Sequence, residues 1–186
     1  MNNHVIQYFD GKRPLYQQCM DQVKSAIPSG ITHELIKETT LTARYQDYRA
    51  VSDLVRLTYL ATDPNTVWLD SDVLIKKWPD FKMKKNRPYI SRFNDGAVIF
   101  CNGCTELFKS MLELYNLDET IAYPGWFQEL LVEHKSKIEL LPEGYFVHVA
   151  LSQVFLAETA RFTNYSTADY KVYRDETGEL KLDVRF

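Results

Sequence analysis

The sequence has few of the residues that mark disulfide scaffolds, flexible linkers and nucleic-acid binders. Three cysteines cannot form a paired disulfide framework, and seven glycines with seven prolines leave no linker-like tract. Lysine and arginine total 22 against 25 aspartates and glutamates, so the basic surplus that phosphate backbones require is missing. No apolar run approaches the length that spans a bilayer. We therefore expect a soluble, cytoplasmic protein with no transmembrane segment and no nucleic-acid partner.

The 186 residues are 45% hydrophobic and 13% aromatic, enough to bury a core in one compact domain over 1–186. β-prone runs predict strands over 5–9, 31–36, 66–69, 97–100 and 145–151. Helical stripes predict helices that end near 27, begin at Ser52, carry 107–115 and span 126–135. A last pair of runs, 170–173 and 180–186, predicts a β-hairpin. This alternation indicates an α/β fold: a mostly parallel sheet flanked by helices, with a small C-terminal hairpin.

Two aspartates follow the most apolar of the predicted strands. Asp70 and Asp72, separated by Ser71, come directly after the run 66–69, so we expect them at the carboxyl end of a buried strand. In open α/β sheets, ligands bind at that edge. Side chains two residues apart on an extended chain point the same way, and carboxylate oxygens are the ligands that Mg²⁺ and Mn²⁺ prefer. The spacing also fits an ordinary solvated turn after a strand.

A charged pair precedes this strand on the predicted helix. Ser52 is expected to cap the helix, Asp53 to open it, and Arg56 to lie one turn further on the same face. On its own, this spacing is equally typical of a plain i,i+3 ion pair with a carboxylate in the first helical turn.

From Ser52 to Leu74 these features occur in order: Ser-Asp-x-x-Arg, then an apolar strand, then Asp-x-Asp. The compound pattern resembles the DXD-containing sugar-binding region of GT-A glycosyltransferases, in the family that includes Golgi mannosyltransferases and the large glucosylating toxins. The resemblance implies a GT-A-like, Rossmann-like fold. It also implies a metal-dependent transfer of a hexose from a nucleotide sugar, most often UDP-linked, with retention of anomeric configuration. The residues 63–66 replace a glycine pair of that family, and the chain is short for such an enzyme.

The resemblance also implies roles for individual residues. It makes Asp72 the direct ligand of Mn²⁺ or Mg²⁺, places Asp70 on the ion through water or on the ribose, and offers His148 as a third metal or phosphate ligand. Asp53 is expected to hydrogen-bond sugar hydroxyls and to belong, with Asp70 and Asp72, to the catalytic group. The remaining donor-binding residues implied are Gln7, Tyr8, Ser52, Arg56 and Ser71. The acceptor-side residues implied are Asn94, Asp95 and Gln128.

Ordinary structural explanations remain open for several of these residues. A lone histidine on an apolar strand, such as His148, is more often a core residue than a ligand. Tyr8 and Trp68 could stack on a base, although aromatic residues in strands usually belong to the core. Asn94 and Asp95 precede a glycine and also fit simple turn chemistry.

Two other classes of function compete with a glycosyltransferase. The short chain is compatible with a degenerate transferase that binds a nucleotide sugar or glycan without chemistry. The two aspartates are also compatible with a metal-dependent phosphohydrolase, but that class usually needs further clustered acids and a basic surface, and neither is evident.

Overall fold

The computed structural model describes residues 2–9, 14–37, 47–75, 77–91, 96–117, 125–142, 145–148, 162–164, 170–174 and 180–184. The first elements along the chain are β1 (His4–Tyr8), α1 (Pro14–Ala26), β2 (Thr32–Ile36), α2 (Tyr48–Thr62), β3 (Thr66–Leu69), β4 (Val73–Ile75), β5 (Tyr89–Ile90) and β6 (Val98–Phe100). They are followed by α3 (Thr105–Leu117), α4 (Trp126–Glu133), a 3₁₀ helix (Lys135–Lys137), β7 (Glu139–Leu140), β8 (Phe146–His148), β9 (Phe162–Asn164), β10 (Tyr170–Arg174) and β11 (Leu180–Val184).

Six of these strands form the main sheet, in the order β2-β1-β3-β6-β5-β7. β1 is parallel to β2 and β3, and β5 is parallel to β7, whereas β6 is antiparallel to both of its neighbours. Five strands of this sheet therefore run in one direction and β6 runs in the other. The predicted class, an α/β fold with a mostly parallel sheet flanked by helices, is confirmed.

The main sheet carries an apolar core on each face. Trp68 of β3 packs on one face in a cluster with residues of α2, α3 and α4, including Phe127. Its neighbours Val67 and Leu69 point to the other face, where Val23 of α1 joins them. All four residues of β3 are buried, as expected for a strand covered on both sides. Each fully buried side chain of this kind contributes about 1.5–3 kcal/mol to folding.

Helix α2 begins earlier than the sequence predicts. Its N-cap is Asp47, whose side chain accepts a hydrogen bond from the backbone N–H of Arg49 at 2.8 Å. Ser52, the predicted cap, lies inside the helix and is buried, and Asp53 lies in the second turn and not the first. The apolar stripe continues upstream through residues 48–51, so tertiary packing extends the helix past the serine. The helix ends at Thr62, with Asp63 as its C-cap.

Two smaller sheets complete the described structure. β4, β9 and β8 form a three-stranded sheet, and β10 pairs with β11 as the predicted antiparallel hairpin. Strands β4, β5, β7 and β9, each of two or three residues, are not predicted from the sequence. The helix predicted over 126–135 ends at Glu133 and continues as the 3₁₀ helix. Across the described ranges, no helix combines the length and apolarity needed to cross a bilayer.

Candidate functional site

Asp70 lies at the carboxyl end of β3, next to the reversed strand β6. Its Oδ1 atom accepts two hydrogen bonds of 2.7 Å, one from Nη2 of Arg56 and one from Nε1 of Trp68. No described residue donates to the other oxygen, Oδ2, and the side chain is 23% exposed. Two strong donors on one oxygen fix the orientation of the carboxylate and leave the second oxygen available to a ligand.

Arg56 joins Asp70 to Asp53. Its guanidinium is 4% exposed, and Nη2 lies 3.6 Å from Oδ1 of Asp53 as well as 2.7 Å from Asp70. Its Cζ atom lies 5.2 Å from the ring centroid of Trp68 and 4.9 Å from that of Phe127. Among the described residues, Nε and Nη1 have no hydrogen-bond acceptor. The predicted Asp53–Arg56 pair is thus present, but buried, where an uncompensated charge is expensive.

The environment of Asp53 disfavours its charged form. Burial raises the pKa of Asp53 to about 6, and although Arg56 opposes this rise, the nearby charge of Asp70 adds to it. Two carboxylates therefore share one guanidinium, and the cluster of Asp53, Arg56 and Asp70 has an excess of negative charge when all three are ionised. A cation or a proton would relieve that excess.

The acidic segment is a turn and not the extended chain that we expected. β3 ends at Leu69, β4 begins at Val73, and the backbone N–H of Val73 donates to the carbonyl of Asp70 at 3.1 Å. The argument that the two carboxylates point the same way because the chain is extended is therefore wrong. Asp72 is buried and lies close enough to α1 for its charge to add to the effect of burial, which raises the pKa of Cys19 to about 12.

Tyrosines and a glutamine from β1 and α2 brace this turn. The hydroxyls of Ser71 and Tyr48 lie 3.2 Å apart, and Tyr48 also donates to the carbonyl of Tyr8 at 3.3 Å. The rings of Tyr8 and Tyr48 stack with centroids 5.4 Å apart. Gln7 donates from Nε2 to the carbonyl of Asp70 at 3.1 Å. The predicted donor-binding residues Gln7, Tyr8 and Ser71 are thus brought together with Asp70.

His33 orients Gln7 from the neighbouring strand β2. Nε2 of His33 lies 2.9 Å from Oε1 of Gln7, whose amide group is already committed to Asp70. Oε1 can only accept, so His33 carries a proton on Nε2. Burial, together with the charge of Lys24, lowers the pKa of His33. No motif in the sequence points to His33 or to Tyr48, and both were missed as parts of this site.

The backbone brings His148 to the same level as the acidic turn. Val73 pairs with Asn164 on β9, and Asn164 pairs with His148 on β8. These three residues form one row across the small sheet, and two strand spacings put the His148 backbone about 10 Å from Val73. Within the described part of the chain, no three His, Cys, Asp or Glu side chains cluster as a metal site.

The predicted acceptor-side residues are only partly placed. Gln128 lies on α4, next to Phe127, and its buried Oε1 has no hydrogen-bond partner within the described ranges. Asn94 and Asp95 lie outside the described residues, directly before Gly96. Trp68 is fully buried against Arg56, in keeping with the core explanation for this aromatic residue.

The fold is similar to that of solved GT-A glycosyltransferases. Solved structures similar to this chain include a glycosyltransferase involved in the glycosylation of the major capsid of PBCV-1, with a TM-score of 0.67 and 14% identity over 89% of this chain and 94% of that one. The apo form of the glycosyltransferase GlyE from Streptococcus pneumoniae TIGR4 gives a TM-score of 0.61 at 13% identity, over 91% of this chain and 55% of that one. The galactosyltransferase LgtC, solved with donor and acceptor sugar analogues, gives a TM-score of 0.56 at 12% identity, over 94% of this chain and 91% of that one.

At such low identity the likeness shows the fold alone. No protein-family model matches the chain, and no curated protein matches it by sequence. The detailed resemblance to Golgi mannosyltransferases and glucosylating toxins therefore stays a prediction.

Proposed function

We propose that this chain is a metal-dependent glycosyltransferase that moves a sugar, most simply a hexose, from a UDP-sugar to an acceptor. The observation that carries the proposal is the cluster of Asp53, Arg56 and Asp70 at the carboxyl end of β3. Ligands bind at this edge in open α/β sheets, and the solved structures that share the fold are glycosyltransferases. A sugar transferase needs charged groups here for the diphosphate and polar groups for the sugar.

The acidic turn suits a hard divalent cation. Asp70 keeps Oδ2 free of described donors, and Asp72 supplies a second carboxylate two residues away. Mg²⁺ is commonly held by one or two carboxylates and completes its coordination with water and phosphate oxygens, and Mn²⁺ prefers similar ligands. We assign Asp70 and Asp72 to this ion, with His148 as a third ligand supported by its place in the Val73 row. When bound, Mn²⁺ or Mg²⁺ would neutralise charge on the departing diphosphate.

The other residues bind and orient the donor. Gln7 and Tyr8 lie at the end of β1 and are tied to the acidic turn, which suits recognition of the nucleotide. Arg56 is assigned to the donor side through Nη2, which contacts both Asp70 and Asp53. Asp53 and Ser52 lie on the same helix and are assigned to the sugar, and Gln128 of α4 to the acceptor side, with Asn94 and Asp95.

A thermal-shift screen tests this proposal. UDP-sugars are added to the wild-type protein with and without Mn²⁺, because a ligand that binds only the folded state raises its Tm. We expect at least one UDP-sugar to raise Tm only when Mn²⁺ is present, and Asp72→Asn to abolish that rise. Asp21→Asn is the matched control, since Asp21 is an exposed residue of α1 whose carboxylate contacts Gln17.

Two results of the screen and one of a turnover assay would each lead to a different conclusion. A Tm rise without Mn²⁺ dependence contradicts the metal assignment. No rise with any UDP-sugar contradicts the donor class. Binding without release of nucleoside diphosphate in a turnover assay favours the alternative, a degenerate module that binds nucleotide sugars without chemistry.

A further inference from the structure

Helix α4 reaches the donor side of the molecule through one aromatic ring. Phe127 is fully buried, and the Cζ atom of Arg56 lies over its ring at 4.9 Å. The second ring beside Arg56, that of Trp68, belongs to β3 and also donates a hydrogen bond to Asp70. Phe127 lies more than fifty positions after Arg56, Trp68 and Asp70 in the sequence. Its contact with Arg56 therefore arises only when α4 packs in the core.

Arg56 needs such support because its polar contacts leave its orientation underdetermined. Both carboxylates are approached by the same nitrogen, Nη2, while Nε and Nη1 lack acceptors among the described residues. A long arginine side chain loses substantial rotamer freedom when it is fixed. Ring faces attract a guanidinium and constrain its plane without consuming its N–H groups. The aromatic contacts therefore orient the guanidinium where hydrogen bonds to Nε and Nη1 do not.

Gly96 closes the third side of this environment. A Cβ atom at Gly96 would lie 3.0 Å from Nη1 of Arg56 and 3.2 Å from the Phe127 ring. The backbone thus approaches Arg56 closely, and the guanidinium has little room to swing away from the two rings. We call Trp68, Phe127 and Gly96 the arginine cradle.

We infer that Phe127 is a positioning residue of the donor site: its ring holds Arg56 in the orientation in which Nη2 engages Asp70, so that the Asp70 carboxylate is held in place for the donor. This role rests on the proposed function for its consequence in donor binding. The ordering of Arg56 itself does not depend on that function, so the two can be tested separately.

The first measurement follows Arg56 directly by NMR in protein labelled with ¹⁵N-arginine. The Nε–H signal of Arg56 is identified by its loss in Arg56→Lys. Because aromatic rings shift nearby protons, we expect Phe127→Leu to move and broaden this signal. Phe108→Leu is the matched control, since Phe108 is equally buried in the same cluster. If Phe127→Leu does not fold, Phe127→Met, which retains more of the volume, replaces it.

The second measurement titrates UDP-glucose in the presence of Mn²⁺. We expect Phe127→Leu to weaken its affinity by about five- to thirtyfold, the range of a desolvated cation–π contact, while Phe108→Leu stays within about twofold. Equal affinities in the two leucine variants would overturn the positioning role. An unchanged Arg56 signal in Phe127→Leu would show that Phe127 does not order Arg56 and would overturn the inference. If wild type binds no UDP-glucose while the Arg56 signal responds as expected, UDP-glucose is excluded as the donor and the ordering of Arg56 by Phe127 stands.

Discussion

At the scale of single residues, the site is defined by one guanidinium shared between two carboxylates. Arg56 makes its short contact with Asp70, at 2.7 Å, and its longer contact with Asp53, at 3.6 Å. Asp70 is partly exposed, whereas Asp53 is buried and has lost most of its contact with water. This loss disfavours the charged form of Asp53 and raises its pKa.

The first prediction concerns the pH dependence that Asp53 adds to stability. Its pKa is about 6 in the folded protein against an ordinary value of 3.8, so between these pH values the folded state holds a proton that the unfolded state has lost. Stability from this group is present below pH 4 and is lost as the pH rises through 6. Asp53→Asn removes this effect.

Urea unfolding at pH 4 and pH 7.5 measures the pH dependence that Asp53 adds to stability. We expect the free energy of unfolding of Asp53→Asn, relative to wild type, to increase by about 2–3 kcal/mol from the lower to the higher pH. A difference that is the same at both pH values would show that Asp53 titrates normally in the folded protein.

The second prediction compares two glycines with positive φ. Gly96 has φ +65 and would place a Cβ against Arg56, Phe127 and Leu131, whereas Gly30 has φ +89 and nothing within 4 Å. Alanine at either position costs about 1–2 kcal/mol of backbone strain. Only Gly96→Ala adds a steric conflict, so we expect its loss of unfolding free energy to exceed that of Gly30→Ala by at least about 1 kcal/mol.

Chemical denaturation of both alanine variants measures this difference, with wild type as the reference. Equal losses would mean that the backbone at Gly96 can move away from Arg56 without cost, and would weaken the case for the arginine cradle.

At the scale of elements, α2 is the central helix because it carries both Asp53 and Arg56. Most of its residues are buried between the main sheet, α3 and α4, including the two charged ones. Its N-terminus is fixed by the side chain of Asp47 on the backbone N–H of Arg49. The placement of the charged pair therefore depends on where this helix begins.

The third prediction tests that beginning. Asp47→Ala removes the capping hydrogen bond and should reduce the free energy of unfolding by about 1 kcal/mol. Ser52→Ala replaces a residue inside the helix with a better helix former and should change it by no more than about 0.5 kcal/mol. The two alanine variants are compared by urea unfolding at pH 7. A larger loss for Ser52→Ala would restore Ser52 as the cap and contradict the observed start of α2.

Some helices and strands could be predicted from the sequence and others could not. The apolar runs at 5–9 and 66–69 and the stripe of α1 suffice to predict β1, β3 and α1, because burial imposes their periodicity. The start of α2 could not be predicted, since Asp47 and Ser52 are both good caps and packing of residues 48–51 decides between them. At Ser71 and Asp72 the sequence fits both an extended chain and a turn, and only the structure, where β4 begins at Val73, shows the turn.

At the scale of the whole molecule, the site is assembled by pairings that connect distant parts of the chain. His148 reaches the level of the acidic turn through Asn164 of β9, and Phe127 reaches Arg56 through the packing of α4. Local patterns in the sequence contain no information on either contact. A family resemblance alone points to His148, and no motif in the sequence points to Phe127.

The direction of the strands is likewise a property of the whole sheet. β6 runs against its neighbours and brings Ala97 beside Asp70, whose backbone N–H donates to the Ala97 carbonyl at 2.9 Å. This reversal places Gly96 next to Arg56. The Asp53–Arg56 pair and the position of Asp70 after a buried strand could be predicted from the sequence, but their enclosure by α4 and by the start of β6 could not.

The fourth prediction is the most direct test of the central claim, that the acidic turn after β3 holds a divalent cation for transfer from a nucleotide sugar. It measures release of nucleoside diphosphate from a panel of nucleotide sugars with Mn²⁺, for wild type, Asp72→Ala and the control Asp21→Asn. We expect turnover by wild type and the control, and a loss on the order of a hundredfold or more in Asp72→Ala, with circular dichroism showing that the variant is folded. Turnover by a folded Asp72→Ala at the wild-type rate would contradict the claim.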